Sequence, residues 1–319
     1  MDLLKKYGYC PDADGINGRI NAALALMETV SSPEVFKKCF SLMDLTTLHS
    51  NDTVESVKKL VQKANGIKEQ FPAYPLPASI CVYPNFASVV KDSRSTGELH
   101  VTTVSGCFPS SQSFLEVKAK ECELAVRAGA DEIDIVLALN SFLAGELDAT
   151  SNEIRTMKAA IDAASKGRKV ILKVILETGL LVSPENIAHA SFLAMEAGAD
   201  FIKTSTGKVD VNATPMAAVV MCECIAAYFA KTGRKVGFKA AGGISAHNVH
   251  VVLLACQFHS LIERVHIFYA EPFAECKADG DLLRLAIHGI DVAQIYHHSL
   301  VSKMTQRHVS QVEMYPLHQ

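Results

Sequence analysis

Residues 170–177, VILKVILE, decide the fold because they form a short, β-branched run that is apolar at nearly every position. A near-continuous apolar run is typical of a strand buried on both faces, as in a parallel sheet. Eight such runs occur along the chain. They are Phe40–Leu45, Ala78–Tyr83, Val101–Cys107, Glu132–Leu139, Val170–Leu176, Phe201–Thr206, Val236–Ala241 and Val265–Tyr269.

Longer amphipathic stretches separate these runs, among them Ser113–Ala128 and Glu153–Ser165. Their apolar residues recur at helical spacing, so the chain alternates strand and helix. Eight βα units in one series favour a TIM (β/α)8 barrel over a doubly wound sheet, and the GxGxxG signature of a dinucleotide fold is absent. We therefore expect an α/β fold of the TIM-barrel type.

No Pro- or Ser-rich linker divides the 319 residues, so one domain is predicted. We expect an N-terminal helical extension over residues 1–37, the barrel over 38–300 and a C-terminal tail over 301–319. Ile16–Met27 predicts a helix in the extension, which could be a cap over the bottom of the barrel or an oligomerisation arm. No internal repeat is expected beyond the βα alternation.

Composition excludes several function classes. With 49% hydrophobic and 20% charged residues, the chain is neither disordered nor fibrous. A net charge of −3 provides no basic field, so we expect neither a nucleic-acid nor a membrane partner. The most apolar stretch, Met216–Ala230, is interrupted by Glu223. Nine scattered cysteines without CxxC spacing, and no signal peptide, predict reduced thiols and a cytoplasmic location.

Three lysines lie in or at the end of predicted strands: Lys173, Lys203 and Lys239. Lysine is rarely buried without a partner. A single strand lysine is most simply explained by an ammonium group that reaches the barrel rim and has no further role. Three on neighbouring strands favour a chemical role instead.

A neutral amine can attack a carbonyl carbon to form a Schiff base, but a free lysine, with a pKa near 10.4, is protonated at neutral pH. Burial and a neighbouring cation both lower that pKa. One lysine would then be the nucleophile and another its activator. Asp134, inside an apolar strand, would be a structural partner of a lysine, a proton relay, or both; Asp44 would cap a loop or bind substrate hydroxyls.

Two glycine-containing segments suggest an anion site. Gly242-Gly243 follows the seventh predicted strand, where backbone amides could hold a phosphate, although a tight turn explains it equally. Residues 204–208 add hydroxyls and a cation. No metal site or cofactor is predicted, because His247, His250 and the pair His297-His298 lack a completing set of carboxylates or cysteines. Cys81 and Cys107 would line a pocket or be small buried residues.

Several of these segments together resemble the deoxyribose-phosphate aldolase family, in its longer, eukaryotic-like branch. The most specific is FIKTSTGK at residues 201–208, combined with GFK and AGGI further on. The matching segments are Asp44–Leu48, Cys81–Pro84, Glu132–Asp134, Glu177–Gly179, Phe201–Lys208, Val211–Thr214, Gly237–Lys239 and Gly242–Ile244.

The resemblance implies a metal-free class I aldolase that reversibly cleaves 2-deoxy-D-ribose 5-phosphate to D-glyceraldehyde 3-phosphate and acetaldehyde. Lys203 would form the Schiff base, Lys239 would activate it, and Asp134 would relay protons with Lys239 through water. A small phosphorylated sugar is the expected partner, in a possible homodimer. The pocket residues would be Asp44, Thr46, Cys81, Lys173 and Thr206, and the phosphate would be held by Gly207, Lys208, Gly242 and Gly243.

The sequence departs from the family pattern at several points. Ala240 replaces a proline after Lys239, Ser245 replaces an arginine, and Ser110-Ser111 alters the loop after strand three. The eighth-strand region, Val265–Pro272, brings Glu271 in place of a Gly-Ala-Ser phosphate loop, and Tyr315 corresponds only loosely to the family's C-terminal tyrosine. Two alternatives follow: an aldolase with weakened phosphate recognition, and a non-catalytic barrel that serves as a protein-binding scaffold.

Overall fold

A computed structural model describes residues 2–25 and 32–244, together with the backbone of one further strand at 265–269. Parallel strands alternate with helices throughout. The strands are β1 (Met43–Thr46), β2 (Ser79–Val82), β3 (His100–Val104), β4 (Glu132–Val136), β5 (Ile171–Ile175), β6 (Phe201–Lys203), β7 (Gly237–Ala240) and β8 (Val265–Tyr269).

The helices lie outside the strands. They are α1 (Leu3–Tyr7), α2 (Ala13–Ala25), α3 (Pro33–Ser41), α4 (Val54–Asn65), α5 (Ile67–Gln70), α6 (Ala87–Ser93), α7 (Leu115–Ala128), α8 (Leu139–Leu143), α9 (Leu147–Ser165), α10 (Thr178–Leu181), α11 (Pro184–Glu196) and α12 (Pro215–Thr232), with a 3₁₀ turn at Pro84–Phe86.

Strands β1 to β7 form a curled parallel sheet, which confirms the predicted α/β class. The backbone of β8 pairs with both β7 and β1, so the order of paired strands closes into a ring. The helices expected after β7 and β8 lie outside the described ranges, and the complete (β/α)8 barrel therefore stays a prediction. The first strand begins at Met43 because Phe40 belongs to α3.

Local sequence explains where the helices start and stop. The side chains of Thr53, Ser183 and Thr214 each accept a hydrogen bond from a backbone N–H in the first turn of α4, α11 and α12. Pro184 and Pro215 follow two of these caps at the first helical position, where a missing N–H costs nothing. These starts follow loops at the carboxyl ends of the strands, the end where sites form in such folds.

The N-terminal helices pack on the outer helical layer. The Tyr7 ring stacks on Phe192 of α11 with 4.4 Å between ring centres. The Tyr7 hydroxyl donates to Glu196, and Lys6 also contacts that carboxylate. These contacts place α1 beside the C-terminal half of α11, and a cap over the bottom of the barrel stays a prediction.

Helix α12 is long and apolar enough to cross a membrane by length and composition, with a mean hydropathy of 1.2 over 18 residues. The helix contains Glu223 and Lys231, so it is not an uninterrupted apolar run. Half of the helix is buried in the protein. Glu223 within it accepts a 2.7 Å hydrogen bond from the Tyr9 hydroxyl and contacts Arg19, so a core helix explains the composition.

Candidate active site

The strands β4 to β7 present apolar side chains to the helices and charged side chains to the barrel interior. On β4, Ile133 and Ile135 belong to the core between sheet and helices, while Glu132 and Asp134 point the other way. This alternation follows from the pleat of a strand, in which successive side chains lie on opposite faces. The interior of the barrel is therefore where the charged residues of neighbouring strands meet.

Asp134 is shared by two buried lysines. Its Oδ2 lies 2.7 Å from Nζ of Lys203, and its Oδ1 lies 2.8 Å from Nζ of Lys173. All three side chains are fully buried. Burial raises the pKa of the Asp134 carboxyl, but the two ammonium groups outweigh it and hold that pKa below its usual value. Asp134 is therefore ionised at neutral pH.

Two further carboxylates complete the cluster. Glu132 Oε2 lies 2.5 Å from Lys173 Nζ, and Asp44 Oδ2 lies 3.6 Å from the same ammonium. Asp44 is also in direct contact with Lys239. Burial lowers the pKa of Lys173, yet Asp134 and Glu132 reverse that effect and raise it above its usual value. Lys173 is thus a permanent cation that joins the carboxylates.

Lys203 and Lys239 occupy neighbouring positions on β6 and β7, since they are register partners. Both are fully buried. Burial away from water holds the pKa of Lys239 well below its usual range, while contact with Asp44 acts in the opposite direction. Lys239 therefore loses its proton at a lower pH than an isolated lysine would. Such an amine is the chemical requirement for attack on a carbonyl.

Asp134 and Lys239, the two groups of the predicted proton relay, contact different partners in the structure. Asp134 contacts Lys203 and Lys173, whereas Lys239 contacts Asp44. Two roles were considered for Asp44, a loop cap and the binding of substrate hydroxyls. Its carboxylate faces Lys173 and Lys239 in the barrel interior, and this position does not support a loop cap. Relay of protons between Asp134 and Lys239 through water remains a proposal.

Thr46 and Cys81 lie side by side on β1 and β2, as register partners at the carboxyl ends of these strands. The Thr46 hydroxyl donates a 3.1 Å hydrogen bond to the Asp44 carbonyl. Burial raises the pKa of Cys81 to about 12, and the Asp134 charge adds to the increase. Cys81 is therefore a neutral thiol in the interior wall. Cys107 lies outside this wall and is partly exposed.

The loop after β6 carries the other predicted binding residues. The Thr206 hydroxyl and backbone N–H donate to the Glu177 carboxylate at 2.5 and 3.1 Å. Gly207 adopts a left-handed φ of 79°, and the next residue, Lys208, donates from Nζ to the Leu48 carbonyl at 2.7 Å. Lys208 thereby connects the loops after β6 and β1 across the top of the barrel.

Gly242 and Gly243 follow β7 with left-handed φ values of 82° and 66°. A Cβ on Gly242 would meet the Asn212 side-chain oxygen at 2.3 Å, so only glycine fits there. A Cβ on Gly243 would meet no described residue within 4 Å other than its chain neighbours. The helix expected after this turn lies outside the described residues, as do Ser245, Glu271, Tyr315 and the side chains of β8.

Sequence reasoning missed three residues of this network. Glu132 was predictable, because it precedes Asp134 by two residues and so shares its face of the strand. Glu177 lies in the family-matching segment Glu177–Gly179 but had no expected role, and His100 gave no signal, because its contact joins two different strands. Within the described part of the chain, no group of three or more His, Cys, Asp or Glu residues is arranged to hold a metal ion. The paired histidines named above fall on residues that are not described.

Comparisons with known proteins point to one family. The profile of the DeoC/LacD family of aldolases matches residues 39–256. Deoxyribose-phosphate aldolase from Bos taurus is 40% identical over 228 residues, which cover 68% of this chain and 70% of that protein. The enzyme of the same name from Mus musculus is 36% identical over 282 residues, covering 82% and 80%.

A solved structure shows the same fold. The deoxyribose-phosphate aldolase of Aeropyrum pernix, described as tetrameric, superposes with a TM-score of 0.57 at 23% identity and covers 80% of this chain and 94% of its own. The profile match spans strands β1 to β7 and therefore includes every lysine of the buried cluster. The chain belongs to the DeoC/LacD family of aldolases.

Proposed function

We propose that this protein is a deoxyribose-phosphate aldolase that works through a Schiff base on Lys203. It would reversibly cleave 2-deoxy-D-ribose 5-phosphate to D-glyceraldehyde 3-phosphate and acetaldehyde. The single observation that carries the mechanism is the buried, in-register pair of Lys203 and Lys239 beside the ionised Asp134. The substrate assignment is supported by the names of the relatives at 36–40% identity.

In this mechanism the neutral Lys203 amine attacks the C1 aldehyde of the open-chain sugar. The carbinolamine loses water after proton transfer, and the resulting iminium ion draws electrons from the C2–C3 bond. That bond breaks as the C3 hydroxyl gives up its proton, releasing glyceraldehyde 3-phosphate. The remaining enamine takes a proton at C2, and water releases acetaldehyde and the amine. Asp134, 2.7 Å from the amine, is the group placed to exchange protons with it.

Lys173 and Lys239 have supporting roles in this proposal. Lys173 keeps Asp134 ionised through their 2.8 Å contact. Lys239 disfavours a second ammonium ion beside it, so that one amine of the pair is neutral. For the phosphate, the Lys208 ammonium and the backbone N–H groups around Gly207, Gly242 and Gly243 would supply the donors at the carboxyl ends of β6 and β7.

Borohydride trapping tests the proposal. The protein is reduced in the presence of acetaldehyde, and its intact mass and peptide map are compared with those of Lys203→Leu. An ethyl group confined to Lys203 is the expected result. Lys118→Met serves as a control, since Lys118 is equally buried but binds Glu153 and Ser111 outside the cluster.

The other two outcomes of the trapping experiment would change the role assigned to Lys203. An adduct on Lys239 would make that residue the nucleophile and Lys203 its activator. Absence of any adduct in folded protein would overturn the enzyme mechanism and favour the non-catalytic scaffold, an alternative that the buried lysines otherwise argue against because removing charges from water is costly even when they are paired.

A second candidate differs only in phosphate recognition. It is motivated by Glu271 and the altered sequence of the eighth-strand region. Such an enzyme would cleave 2-deoxyribose nearly as well as its 5-phosphate. Measurement of kcat/KM for both sugars separates the candidates: a preference of at least about 100-fold for the phosphorylated sugar excludes the second, because a lost charge-assisted contact costs about 3 kcal/mol.

Fold and assembly belong to the same proposal. The chain would form one TIM (β/α)8 domain with residues 1–37 as its extension and 301–319 as its tail, and would self-associate as a homodimer. The tetrameric description of the Aeropyrum pernix structure supports self-association in a protein of the same fold. Light scattering after size-exclusion chromatography gives the mass directly, and a value near the chain's 34.5 kDa would contradict the dimer.

A further inference from the structure

The lysine cluster extends to the lower end of the barrel through a histidine. His100 is the first residue of β3, and its Nδ1 lies 2.7 Å from Glu132 Oε1. The His100 side chain is 42% exposed, whereas Glu132 is completely buried. One end of this contact therefore lies in solvent and the other inside the barrel.

From Glu132 the contacts continue without a break to Lys203. The other Glu132 oxygen lies 2.5 Å from the Lys173 ammonium. Lys173 donates to Asp134 at 2.8 Å, and Asp134 accepts from Lys203 at 2.7 Å. Four successive polar contacts thus join the lower surface to the amine at the upper end.

The charged groups that face His100 come from β4, β5 and the loop before β4. They are Glu132, Lys173 and Asp131, and Asp131 is itself bound by Arg94 and Arg168. The hydrogen bond to Glu132 raises the pKa of His100 above its usual value, although burial opposes this. His100 therefore keeps its proton to a higher pH than an unpaired histidine would, while its partner stays in the interior.

We propose that His100 is a positioning residue for the site, which acts through Glu132 and Lys173 on the way Asp134 is held against Lys203. This inference rests on the proposed function, in which Lys203 is the nucleophile. The two carboxylate oxygens of Glu132 contact different groups: one contacts His100 and the other contacts Lys173. A protonated His100 adds a positive charge at one end of this chain of contacts, which favours the neutral form of the amine at the other end. When His100 is neutral, Lys173 is the cation that remains in contact with Glu132.

The consequence is a pH-dependent difference between the wild type and His100→Gln. Below neutral pH the variant lacks the positive charge of His100, so less neutral amine is present. Above the pKa of His100 both proteins carry no charge at this position, and their rates converge. We expect trapping by borohydride and acetaldehyde to be about threefold slower in the variant at low pH, as half a pKa unit gives.

The pair itself is tested by NMR titration of the full-length protein labelled at histidine. Glu132→Gln removes the negative charge while retaining the side-chain size, and the titration midpoint of His100 should fall by about one pH unit. His189 on α11 gives the reference signal, and His189→Gln is the matched control for trapping. An unchanged His100 midpoint in Glu132→Gln would show that the two groups are not coupled and would overturn the proposal.

The trapping rates from pH 5.5 to 8.5 decide whether the pair acts on Lys203. A ratio of wild type to His100→Gln that falls to one above neutral pH, with His189→Gln equal to wild type throughout, supports the positioning role. A ratio independent of pH would indicate a purely structural effect and overturn it. Absence of wild-type trapping at every pH would overturn the proposed function and the positioning role with it, whereas the NMR titration would still report the coupling.

Discussion

Two adjacent regions of the barrel share one sequence pattern but differ in the pair of charged residues that they place in register. One pair has opposite charges and the other consists of two lysines. The first runs from AGAD at 128–131 to GRKV at 167–170, and the second from AGAD at 197–200 to GRKV at 233–236. A strand follows each motif, giving β4 and β5 in the first region and β6 and β7 in the second. This repeat contradicts the expectation that no repeat exists beyond the βα alternation.

The two regions share their framework. Gly129 and Gly198 follow helices α7 and α11 with φ of 110° and 109°, a left-handed conformation that suits glycine. Each following aspartate accepts a 3.0 Å hydrogen bond from the N–H of a strand residue: Asp131 from Val101, and Asp200 from Leu172. The arginine of each GRKV motif donates to backbone carbonyls at the end of the helix that precedes the AGAD motif of its own region. Arg168 binds the end of α7, and Arg234 binds the end of α11.

The difference lies inside the barrel. Three residues after each aspartate stands Asp134 or Lys203, and three residues after each GRKV valine stands Lys173 or Lys239. Asp134 and Lys173 are register partners and form an ion pair; Lys203 and Lys239 are register partners of like charge. One framework therefore places an ion pair in register in the first region and, in the second, two register-paired lysines whose carboxylate partners, Asp134 and Asp44, lie on other strands.

The largest expected effect comes from Lys239→Met, which removes the like-charge pair. The proposed activator of Lys203 is then absent. We expect kcat/KM for the proposed retro-aldol reaction to fall about 10³-fold, the usual scale for loss of acid–base assistance. A coupled assay of glyceraldehyde 3-phosphate measures it, and a loss below tenfold would show that the second lysine is not an activator.

The corresponding change in the first region, Lys173→Met, should act on stability. It leaves Glu132 and Asp134 buried with fewer cations, and breaking a buried ion pair in this way costs about 3–5 kcal/mol. Urea unfolding at pH 7 gives the free energy of unfolding for both variants. The comparison fails if Lys239→Met destabilises the fold as strongly as Lys173→Met does.

The pH dependence of stability should also differ between the two lysines. Burial lowers the pKa of Lys239 in the folded state, so the unfolded chain binds more protons between that value and about 10.4. The contribution of Lys239 to the free energy of unfolding therefore increases with pH over this range, by up to about 1.4 kcal/mol per pH unit. Lys173, whose pKa is raised, contributes stability that is fully present below about 10.4 and lost only at higher pH.

Unfolding free energies of wild type and Lys239→Met from pH 7 to 9 check this sign. The difference between them should change in favour of the wild type as the pH rises. A difference that stays constant over this range would mean that Lys239 keeps its proton in the folded protein, through its contact with Asp44.

The strands and their lysines were predictable because both signals are local. Each strand is a short apolar run, and a lysine within it stands out at once, as Lys173 does in VILKVILE. The partners of the lysines were not predictable. Asp44 reaches Lys239 and Lys173 because the sheet curls β1 towards β5 and β7, and no spacing along the chain encodes such contacts.

The binding loops show the same limit. Lys208 and Thr206 were expected near a phosphate from residue type, yet their contacts with Leu48 and Glu177 depend on how loops from different strands meet. Glu177 itself adopts a left-handed φ of 56°, which is unusual for a residue with a Cβ and leaves no mark in the sequence.

The smallest expected effect concerns the shared framework, which should be equally sensitive in both regions. Arg168 donates to the Ala130 carbonyl and to Asp131, both at 2.8 Å, and Arg234 donates to the Ala199 carbonyl at 2.7 Å. Because both guanidinium groups are more than a third exposed, each Arg→Ala change should cost only about 1–2 kcal/mol.

Arg155, an exposed residue of α9, provides the control, and Arg155→Ala should stay within about 0.5 kcal/mol of the wild type. Neither framework variant should change the position of the borohydride adduct. If Arg234→Ala lowered kcat/KM a hundredfold while Arg168→Ala did not, the framework of the second region would itself be part of the site. The difference between the regions would then extend beyond the single exchange of aspartate for lysine inside the barrel.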